Sequence, residues 1–433
     1  MEHLTGIGPA YQPWEGRILP LNYRCMTDKT YNTPSCLICL APKSIETDYL
    51  SQSAKLLRNL VFYYFPASDK MRHMRLNKEE TDALVQWFEQ HHRKLPWRDT
   101  NNPYDTWISE IMLQQTRVEA VRDRFIAFKK QLPDIASLAA ADDDQLMKLW
   151  EGMGYYSRAR SLKKCAILLQ KDYAGKLPSD PRILVTLPGI GPYTAGAIAS
   201  QAYGIPVPAV DGNVLRVMTR RLAITDDIRK DTVKKQITAI LQETLDACIA
   251  EGMDAHPRFV SHFNQALMEL GATICGPNEP PHCDHCPFQK TCLAHLHNQT
   301  DTIPFRSAPK QRKIVNRTLL IIRCADTFLL QKRPDHGLLA GLYEFPGIDQ
   351  WLSEQEAVHE AERRFQVQIL HVRPLPDAVH IFSHVEWHMH AYELRAADLE
   401  AENDLLFLTK KELQKYAVPS AFKAYIHYYE LEE

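Results

Sequence analysis

Four cysteines close to residue 280 form the clearest chemical pattern in this chain. They are Cys275, Cys283, Cys286 and Cys292, with the spacing C-x7-C-x2-C-x5-C across 18 residues. Most of the other cysteines are scattered, so a disulfide framework is not indicated, and four thiols in one loop of a reduced protein point to a metal centre. We expect a [4Fe-4S] cluster, because zinc sites usually have two CxxC pairs and this loop has one. Zinc held by four thiolates is the alternative.

Two carboxylates form the second pattern. Glu110 lies in WISEIMLQQTRV, where its neighbours on the same helix face are Trp107, Leu113 and Gln114. Partial burial there would raise its pKa and suit a general acid, although most glutamates on amphipathic helices are simply exposed to solvent. Asp211, in VPAVDGNVLR, strengthens the hypothesis. Two carboxylates in different surroundings can divide proton donation and cation stabilisation during cleavage of a glycosidic bond.

A glycine turn lies between these carboxylates in the sequence. It is LPGIGPYTAGAIA, residues 187–199, with Gly189 and Gly191 before a helical pattern. Backbone N–H groups at such a helix start, together with the helix dipole, favour a phosphate. The turn alone is also compatible with an ordinary connection between helices.

The elements that must position these residues are helices. From Asn77 to about Leu296 the chain shows one helical pattern after another, with few strand signals. We expect Asp105 or Thr106 to cap the helix of Glu110, Asp142 to begin another helix, and Asp180 with Pro181 to begin the helix entering the glycine turn.

The pattern changes after a proline-bearing basic stretch between Thr302 and Arg317. Strand-like segments follow (RTLLIIRC, DTFLLQKRP and HMHAYEL), with a helical pattern from Glu356 to Phe365. A separate α+β domain is the simplest interpretation. The first 75 residues or so lack periodicity, and we expect them to form a poorly ordered extension.

Composition excludes some classes of protein. The net charge is -2, so any nucleic-acid interface must be local, and no apolar run approaches the length of a membrane span. The first residues do not resemble a secretion signal. We expect a cytoplasmic protein without membrane contact.

Several motifs together resemble the adenine DNA glycosylases of the helix-hairpin-helix superfamily. These motifs are WISEIMLQQT, EGMGYYSRARSL, LPGIGPYTAGAIAS, VDGNVLR, FNQALMELGATIC and the cysteine pattern. The resemblance implies a mostly α glycosylase fold in two lobes over residues 76–298, followed by a linker at 299–314 and an α+β Nudix-like domain at 315–433. The six-helix lobe would span about 101–204, and the cluster lobe would combine 76–100 with 205–298.

The resemblance also implies an activity and roles for individual residues. The enzyme would flip adenine out of double-stranded DNA, where it lies opposite 8-oxoguanine or guanine, and excise it. Glu110 would protonate the flipped adenine at N7 and later help water to add, while Asp211 would stabilise the oxocarbenium-like sugar. The resemblance gives seven further positions a role. Tyr193 and Asn213 would support the reacting nucleotide, and Arg98 would lie near the pocket. The segments that intercalate at the lesion or hold the opposite 8-oxoguanine would include Gln115, Thr116, Met153 and Tyr155.

Position 193 separates two activities within this superfamily. Enzymes of the endonuclease III type have a lysine nucleophile in the glycine turn, which can form a Schiff base with the sugar. This chain has Tyr193, so we expect hydrolysis without strand cleavage. A glycosylase/AP lyase and a catalytically inactive DNA-damage binder are the alternatives.

The C-terminal region resembles the Nudix-like module of the same glycosylases. LLAGLYEFPG is present, but EAVHEAERRF lacks the acidic REUxEExGU arrangement that holds magnesium, so pyrophosphohydrolase activity is not expected. Phe382, Ser383 and His384 match a loop that recognises 8-oxoguanine from the other side of the duplex. We expect a monomer that acts on DNA of the bacterial nucleoid.

Overall fold

The computed structural model describes residues 74–98, 100–308, 311–398 and 405–430. The expected N-terminal extension therefore lies almost entirely outside the described residues. Among the described residues, no helix is both long and apolar enough to cross a bilayer.

The first part of the described chain is helical. The helices are α1 (Lys78–His91), α2 (Pro103–Leu113), α3 (Val118–Gln131), α4 (Ile135–Ala140), α5 (Asp143–Leu149), α6 (Ser157–Asp172), α7 (Pro181–Leu184), α8 (Pro192–Tyr203), α9 (Gly212–Arg221), α10 (Asp231–Ala250), α11 (Phe259–Thr273) and α12 (Leu293–Leu296). Short 3-10 turns at Met253–Ala255 and Cys283–His285 complete this part.

These helices bury two apolar cores. One core is built mainly on α2 to α8 and contains Trp107, Phe128 and Trp150. The other combines α1 with α9, α10 and α11, and includes Phe263 and the cysteine at 275. The cleft between the two cores is where α2, α8, α9 and α11 meet.

Helix starts follow local sequence signals. Asn77 forms a capping box with Glu80 at the start of α1, and Asp142 and Asp180 cap α5 and α7 as expected. The expected cap for α2 was wrong. Asn102 caps this helix and Pro103 follows it, which places Asp105 and Thr106 inside the first turn.

The second part is an α+β domain. Its strands are β1 (Lys313–Cys324), β2 (Thr327–Lys332), β3 (Tyr343–Glu344), β4 (Gly347–Ile348), β5 (Ile369–Ile381), β6 (Val385–Ala396) and β7 (Leu405–Thr409). The helices are α13 (Glu354–Phe365), α14 (Lys410–Leu413) and α15 (Lys423–Glu430), with a 3-10 turn at Ser420–Phe422. The central order is β3-β2-β1-β6-β5, with β1 and β6 parallel, while β4 pairs with β1 and β7 with β2. The expected class, a mostly α region followed by an α+β domain, is confirmed.

The α+β domain packs directly on the helical part. Leu342 and Ala417 are buried in the core of α2 to α8. Arg160 donates to the carbonyl of Ala340 at 2.5 Å, and the Val418 N–H donates to Glu151 Oε1 at 3.2 Å. The two parts therefore share an interface that combines apolar and polar contacts.

Candidate active site

Glu110 lies in the last turn of α2, and the residue is buried. Burial raises the pKa of the Glu110 carboxyl group to about 7, and the nearby charge of Asp211 adds to this rise. Hydrogen bonds from Tyr193 and Gln201 lower the pKa and so oppose the effect of burial. The raised pKa expected from sequence is confirmed. At neutral pH a substantial fraction of Glu110 therefore carries a proton that it can donate.

Tyr193 lies in the first turn of α8, two residues after Gly191. Its hydroxyl donates to Glu110 Oε2, and Gln201, further along α8, donates to Glu110 Oε1 at 3.2 Å. Burial raises the pKa of Tyr193 well above its ordinary value, so the phenol is a donor and not an anion at neutral pH. Both oxygens of Glu110 are therefore held in fixed directions.

The glycine turn itself depends on Gly189. Its φ is +77°, and a Cβ there would lie 2.7 Å from Cβ of Ser161 on α6. Gly191 caps α8, with Pro192 at the first helical position. The small residues of α8 also have a packing role, because a Cβ on Gly196 would lie 2.6 Å from the carbonyl oxygen of Pro208. This close approach brings the segment leading to Asp211 against α8.

Asp211 caps α9. Its Oδ1 accepts from the Val214 N–H at 2.8 Å, and its Oδ2 accepts from the Asn213 side chain at 2.7 Å. Burial raises the pKa of Asp211, whereas these hydrogen bonds oppose the rise. Asp211 is thus a half-buried, oriented carboxylate in more polar surroundings than Glu110.

A cavity of about 590 Å³ connects these groups. Seven residues selected from sequence line it: Arg98, Glu110, Gln115, Thr116, Tyr193, Asp211 and Asn213. The structure therefore brings together residues from four separate segments of the chain. A cavity of this size, lined by two carboxylates, can admit a flipped base.

Sequence reasoning missed Gln201 and the pair Arg93 and Glu269. Glu269 is almost fully buried, and it accepts from Arg93 Nε at 2.8 Å and from Arg98 Nη2 at 2.6 Å. Burial opposes ionisation of Glu269, but the hydrogen bonds from both arginines outweigh it and lower the pKa to about 2. The sequence did contain a signal, because Glu269 is an acidic residue within the apolar helix pattern FNQALMEL. Burying its charge costs free energy unless a cationic side chain pairs with it.

A second cavity, of about 580 Å³, lies between the helical part and the α+β domain. Met153 and Tyr155 line it from the helical side, and Phe382, Ser383 and His384 line it from the loop between β5 and β6. The Tyr155 hydroxyl and Ser383 Oγ are hydrogen bonded across it. All five residues selected for lesion contact from these two segments therefore meet at one place.

The four cysteines lie on the loop that follows α11, with Cys275 buried and the other three half-buried. Arg220 donates to Cys275 Sγ at 3.2 Å, so a cationic side chain lies against the cysteine set. Burial, together with the neighbouring cysteines, raises the pKa of Cys286 to about 12 against a backbone hydrogen bond. The set fits a metal centre, because a bound cation would keep such mutually repelling thiolates ionised. The seven residues between Cys275 and Cys283 are accommodated by a turn in which the His282 N–H returns to the Ile274 carbonyl at 3.0 Å.

A second metal-type group among the described residues is Glu89 with His256 and His262. Glu89 Oε1 lies 2.8 Å from His262 Nδ1 and 3.0 Å from His256 Nε2, which are hydrogen-bond distances. His256 Nδ1 also accepts from the Arg258 N–H at 3.3 Å, so Nε2 carries the ring proton. This group is therefore a hydrogen-bonded network on the protein surface.

Comparison with known proteins agrees with this architecture. Residues 108–243 match the family model of HhH-GPD superfamily base excision DNA repair proteins, and residues 317–428 match the NUDIX domain model. An adenine DNA glycosylase of Mus musculus is 31% identical over 407 residues, which cover 80% of this chain and 77% of the mouse protein. This chain belongs to the adenine DNA glycosylase family.

Other adenine DNA glycosylases show the same relation. The Homo sapiens protein is 30% identical over 80% of this chain and 73% of its own length, and that of Buchnera aphidicola subsp. Baizongia pistaciae is 35% identical over 61% and 72%. Among solved structures, a thermostable thymine-DNA glycosylase is 25% identical, with a TM-score of 0.44 over 54% of this chain and 100% of the other. As a member of the adenine DNA glycosylase family, the protein is a DNA glycosylase, a hydrolase of N-glycosyl bonds that acts on DNA.

Proposed function

We propose that this DNA glycosylase excises adenine that is mispaired with 8-oxoguanine or guanine and leaves the strand uncut. The observation that carries the proposal is Glu110, a buried acid with a pKa of about 7, facing the same cavity as Asp211. The relatives named adenine DNA glycosylases support adenine as the base. We propose that the protein works as a monomer in the bacterial cytoplasm, at the nucleoid that contains its DNA substrate.

The proposed reaction uses each group for one step. Glu110 donates its proton to N7 of the flipped adenine, so that the electron pair of the breaking C1'–N9 bond leaves with a neutral base. Asp211 stabilises the cationic sugar that remains. Glu110, now ionised, accepts a proton from the water that adds to C1'. Tyr193 and Asn213 hold the two carboxylates in place through the hydrogen bonds described above.

Hydrolysis is favoured over lyase chemistry by the position of the lysines. Tyr193 occupies the glycine turn, and among the described residues only Lys234 brings an ammonium-bearing side chain to the cavity lining. We expect borohydride to trap no stoichiometric covalent DNA adduct. An adduct that disappears in Lys234→Met would favour the glycosylase/AP lyase alternative instead.

The cysteine loop fits a [4Fe-4S] cluster, which we propose Cys275, Cys283, Cys286 and Cys292 hold. Such a cluster would tie the chain after α11 to the second core, which contains Cys275 and Phe288. Iron and sulfide analysis of the purified protein tests this proposal. Four iron atoms per chain would support it, and one zinc atom per chain without a visible chromophore would overturn it.

The interdomain cavity supports recognition of the opposite base. Met153 and Tyr155 line it from the helical side, and the loop of Phe382, Ser383 and His384 lines it from the α+β domain. Gln115 and Thr116 line the first cavity at the end of α2, and the Thr116 hydroxyl donates to the Met153 carbonyl at 3.4 Å, which connects the two sets. We propose that this set holds 8-oxoguanine or guanine while adenine occupies the first cavity. In α13, Arg363 and Arg364 take the place of magnesium-binding acids, so we propose no pyrophosphohydrolase role for this domain.

The deciding experiment uses duplexes containing A opposite 8-oxoguanine, A opposite G, or an oxidised pyrimidine, with and without alkali. We expect release of free adenine from the first two, strand scission only after alkali, and loss of release in Glu110→Gln. Absence of release by the wild-type protein would favour the inactive binder, and release of the oxidised pyrimidine with spontaneous scission would favour the lyase.

A further inference from the structure

Arg158, in the first turn of α6, makes an unusual set of contacts. Its guanidinium donates to five backbone carbonyls and one hydroxyl and, within the described part of the chain, forms no ion pair with a carboxylate. The acceptors are Ile111 O at 2.7 Å, Met112 O at 3.0 Å, Gln114 O at 2.6 Å, Met153 O at 2.9 Å, Gly154 O at 3.2 Å and Thr116 Oγ1 at 3.2 Å. A half-buried cation with only neutral acceptors is costly, so its position needs a reason.

The first group of acceptors lies at the C-terminal end of α2. The last carbonyls of a helix have no partner within the helix and carry its negative partial charge. Arg158 donates to the carbonyls of Ile111 and Met112 in the last turn of α2 and to the carbonyl of Gln114 just beyond it. The chain then turns sharply, because Gln115 has a φ of +57°, a left-handed conformation that is strained for a residue other than glycine.

The second group of acceptors lies in the turn of residues 152–155. Here Tyr155 has a φ of +46°, and Gly154 precedes it with a φ of +67°. Trp150 supports the same turn, since its indole N–H donates to the Gly154 carbonyl at 3.1 Å. Arg158 also lies 5.7 Å from the ring centre of Tyr155, within cation–π range.

One side chain therefore joins the two strained turns that carry Gln115, Thr116, Met153 and Tyr155. We propose that Arg158 is a positioning residue for opposite-base recognition, which holds both turns in the shape that receives 8-oxoguanine. This inference rests on the proposed function and deepens it. Arginine suits the task because its planar fork reaches acceptors on both sides, whereas a lysine ammonium is a single point donor.

Glu110 is affected less, because α2 is held by its own core contacts and Glu110 by Tyr193 and Gln201. Loss of Arg158 should therefore impair discrimination between opposite bases more than the chemistry. A purely structural role would instead lower the rate of adenine release opposite 8-oxoguanine and the rate opposite G by the same factor.

The test measures single-turnover rates of adenine release from A opposite 8-oxoguanine and from A opposite G. We compare wild type, Arg158→Met and Arg158→Lys with Arg122→Met, an exposed arginine on α3, as the matched control. Rates in single turnover do not depend on the fraction of active protein. In Arg158→Met we expect the rate opposite 8-oxoguanine to fall about 30-fold and that opposite G by less than about threefold, so that their ratio drops at least about tenfold.

Arg158→Lys should recover part of the ratio, and Arg122→Met should match wild type. If Arg158→Met does not fold, the same ratio measured in Arg158→Lys decides. The inference would be overturned if the folded variants kept the wild-type ratio of adenine release opposite 8-oxoguanine to release opposite G. This holds whether both rates persist or both fall equally. Failure of the wild-type protein to release adenine would instead overturn the proposed function.

Discussion

At the scale of single residues, Glu110, which we propose is the general acid, carries a cost in stability. Its pKa is about 7 in the folded protein against 4.5 for an ordinary glutamate, because burial disfavours the charge. The folded state thus binds more protons than the unfolded state between these values, so this group's contribution to stability falls as pH rises through them. At pH 8 the buried charge costs up to about 3 kcal/mol.

Glu110→Gln should therefore lose adenine release and unfold at a higher denaturant concentration than wild type at pH 8. The gain should shrink toward pH 5, where the wild-type carboxyl is largely protonated and has the same charge as the amide. Denaturant unfolding at the two pH values checks this, with Glu119→Gln, a substitution at the surface of α3, as the control. A variant less stable than wild type at pH 8 would contradict the account of burial.

Tyr193 tunes the same acid. Its hydroxyl donates to Glu110 and so lowers the pKa of Glu110 relative to burial alone. Tyr193→Phe should raise this pKa further, and the protonated fraction would then persist to higher pH. We expect the alkaline limb of the single-turnover pH profile, which should lie near pH 7 in wild type, to move upward by about one unit. A limb that stays in place or moves to lower pH would argue against this hydrogen bond.

At the scale of elements, the glycine turn shows how sterics place an active-site helix. Gly189 and Gly204 both have a left-handed φ, of +77° and +68°, but only Gly189 has a neighbour, Ser161, within 4 Å of an added Cβ. Gly204→Ala should cost about 1 kcal/mol from backbone strain alone. Gly189→Ala should cost about 1 to 3 kcal/mol more, because Cβ of Ser161 belongs to helix α6 and cannot rotate away.

We also expect Gly189→Ala, but not Gly204→Ala, to weaken binding to undamaged duplex DNA, because only the first alters the turn at the start of α8, whose backbone N–H groups we propose contact a DNA phosphate. Thermal unfolding and a fluorescence anisotropy titration measure the two effects. Equal losses of stability in both variants would show that contact with Ser161 does not matter.

The elements also show what the sequence could and could not predict. The helix of Glu110 was expected one turn too late, because Asp105 and Thr106 are good caps while Asn102 and Pro103 are better placed. Strand β5 was missed because it contains two prolines, which normally argue against a central strand. It lies at the edge of the sheet and changes register between Leu375 and Ala378, where such residues are tolerated.

The candidate site was largely predictable for residues that belong to recognisable motifs. Glu110, Tyr193 and Asp211 were found in this way. Gln201 and Glu269 were not, because their roles arise from contacts with residues about 90 and 170 positions away, Glu110 and Arg98. Such pairings depend on how helices pack, which local patterns do not specify.

At the scale of the whole molecule, the α+β domain is docked on the helical part by apolar and polar contacts. Leu342 is 1% exposed within the core of α2 to α8, beside Ala417. The chain that leads to this domain is also attached to the helical part at Ser307, which donates to Asp227 Oδ2 at 2.6 Å. The interdomain cavity therefore exists only while this interface holds.

Leu342→Ala should open the interface, because removing a buried leucine side chain costs about 2 to 5 kcal/mol, a large share of what a modest interface supplies. We expect a larger radius of gyration by small-angle scattering and faster proteolysis near residues 299–314. The ratio of adenine release opposite 8-oxoguanine to that opposite G should fall, while release opposite G persists because the first cavity lies entirely within the helical part. Leu370→Ala, on the exposed face of β5 with 64% of the residue exposed, is the control and should match wild type. An unchanged scattering profile together with a reduced ratio would mean that Leu342 acts locally on the recognition loop and not through docking of the domain.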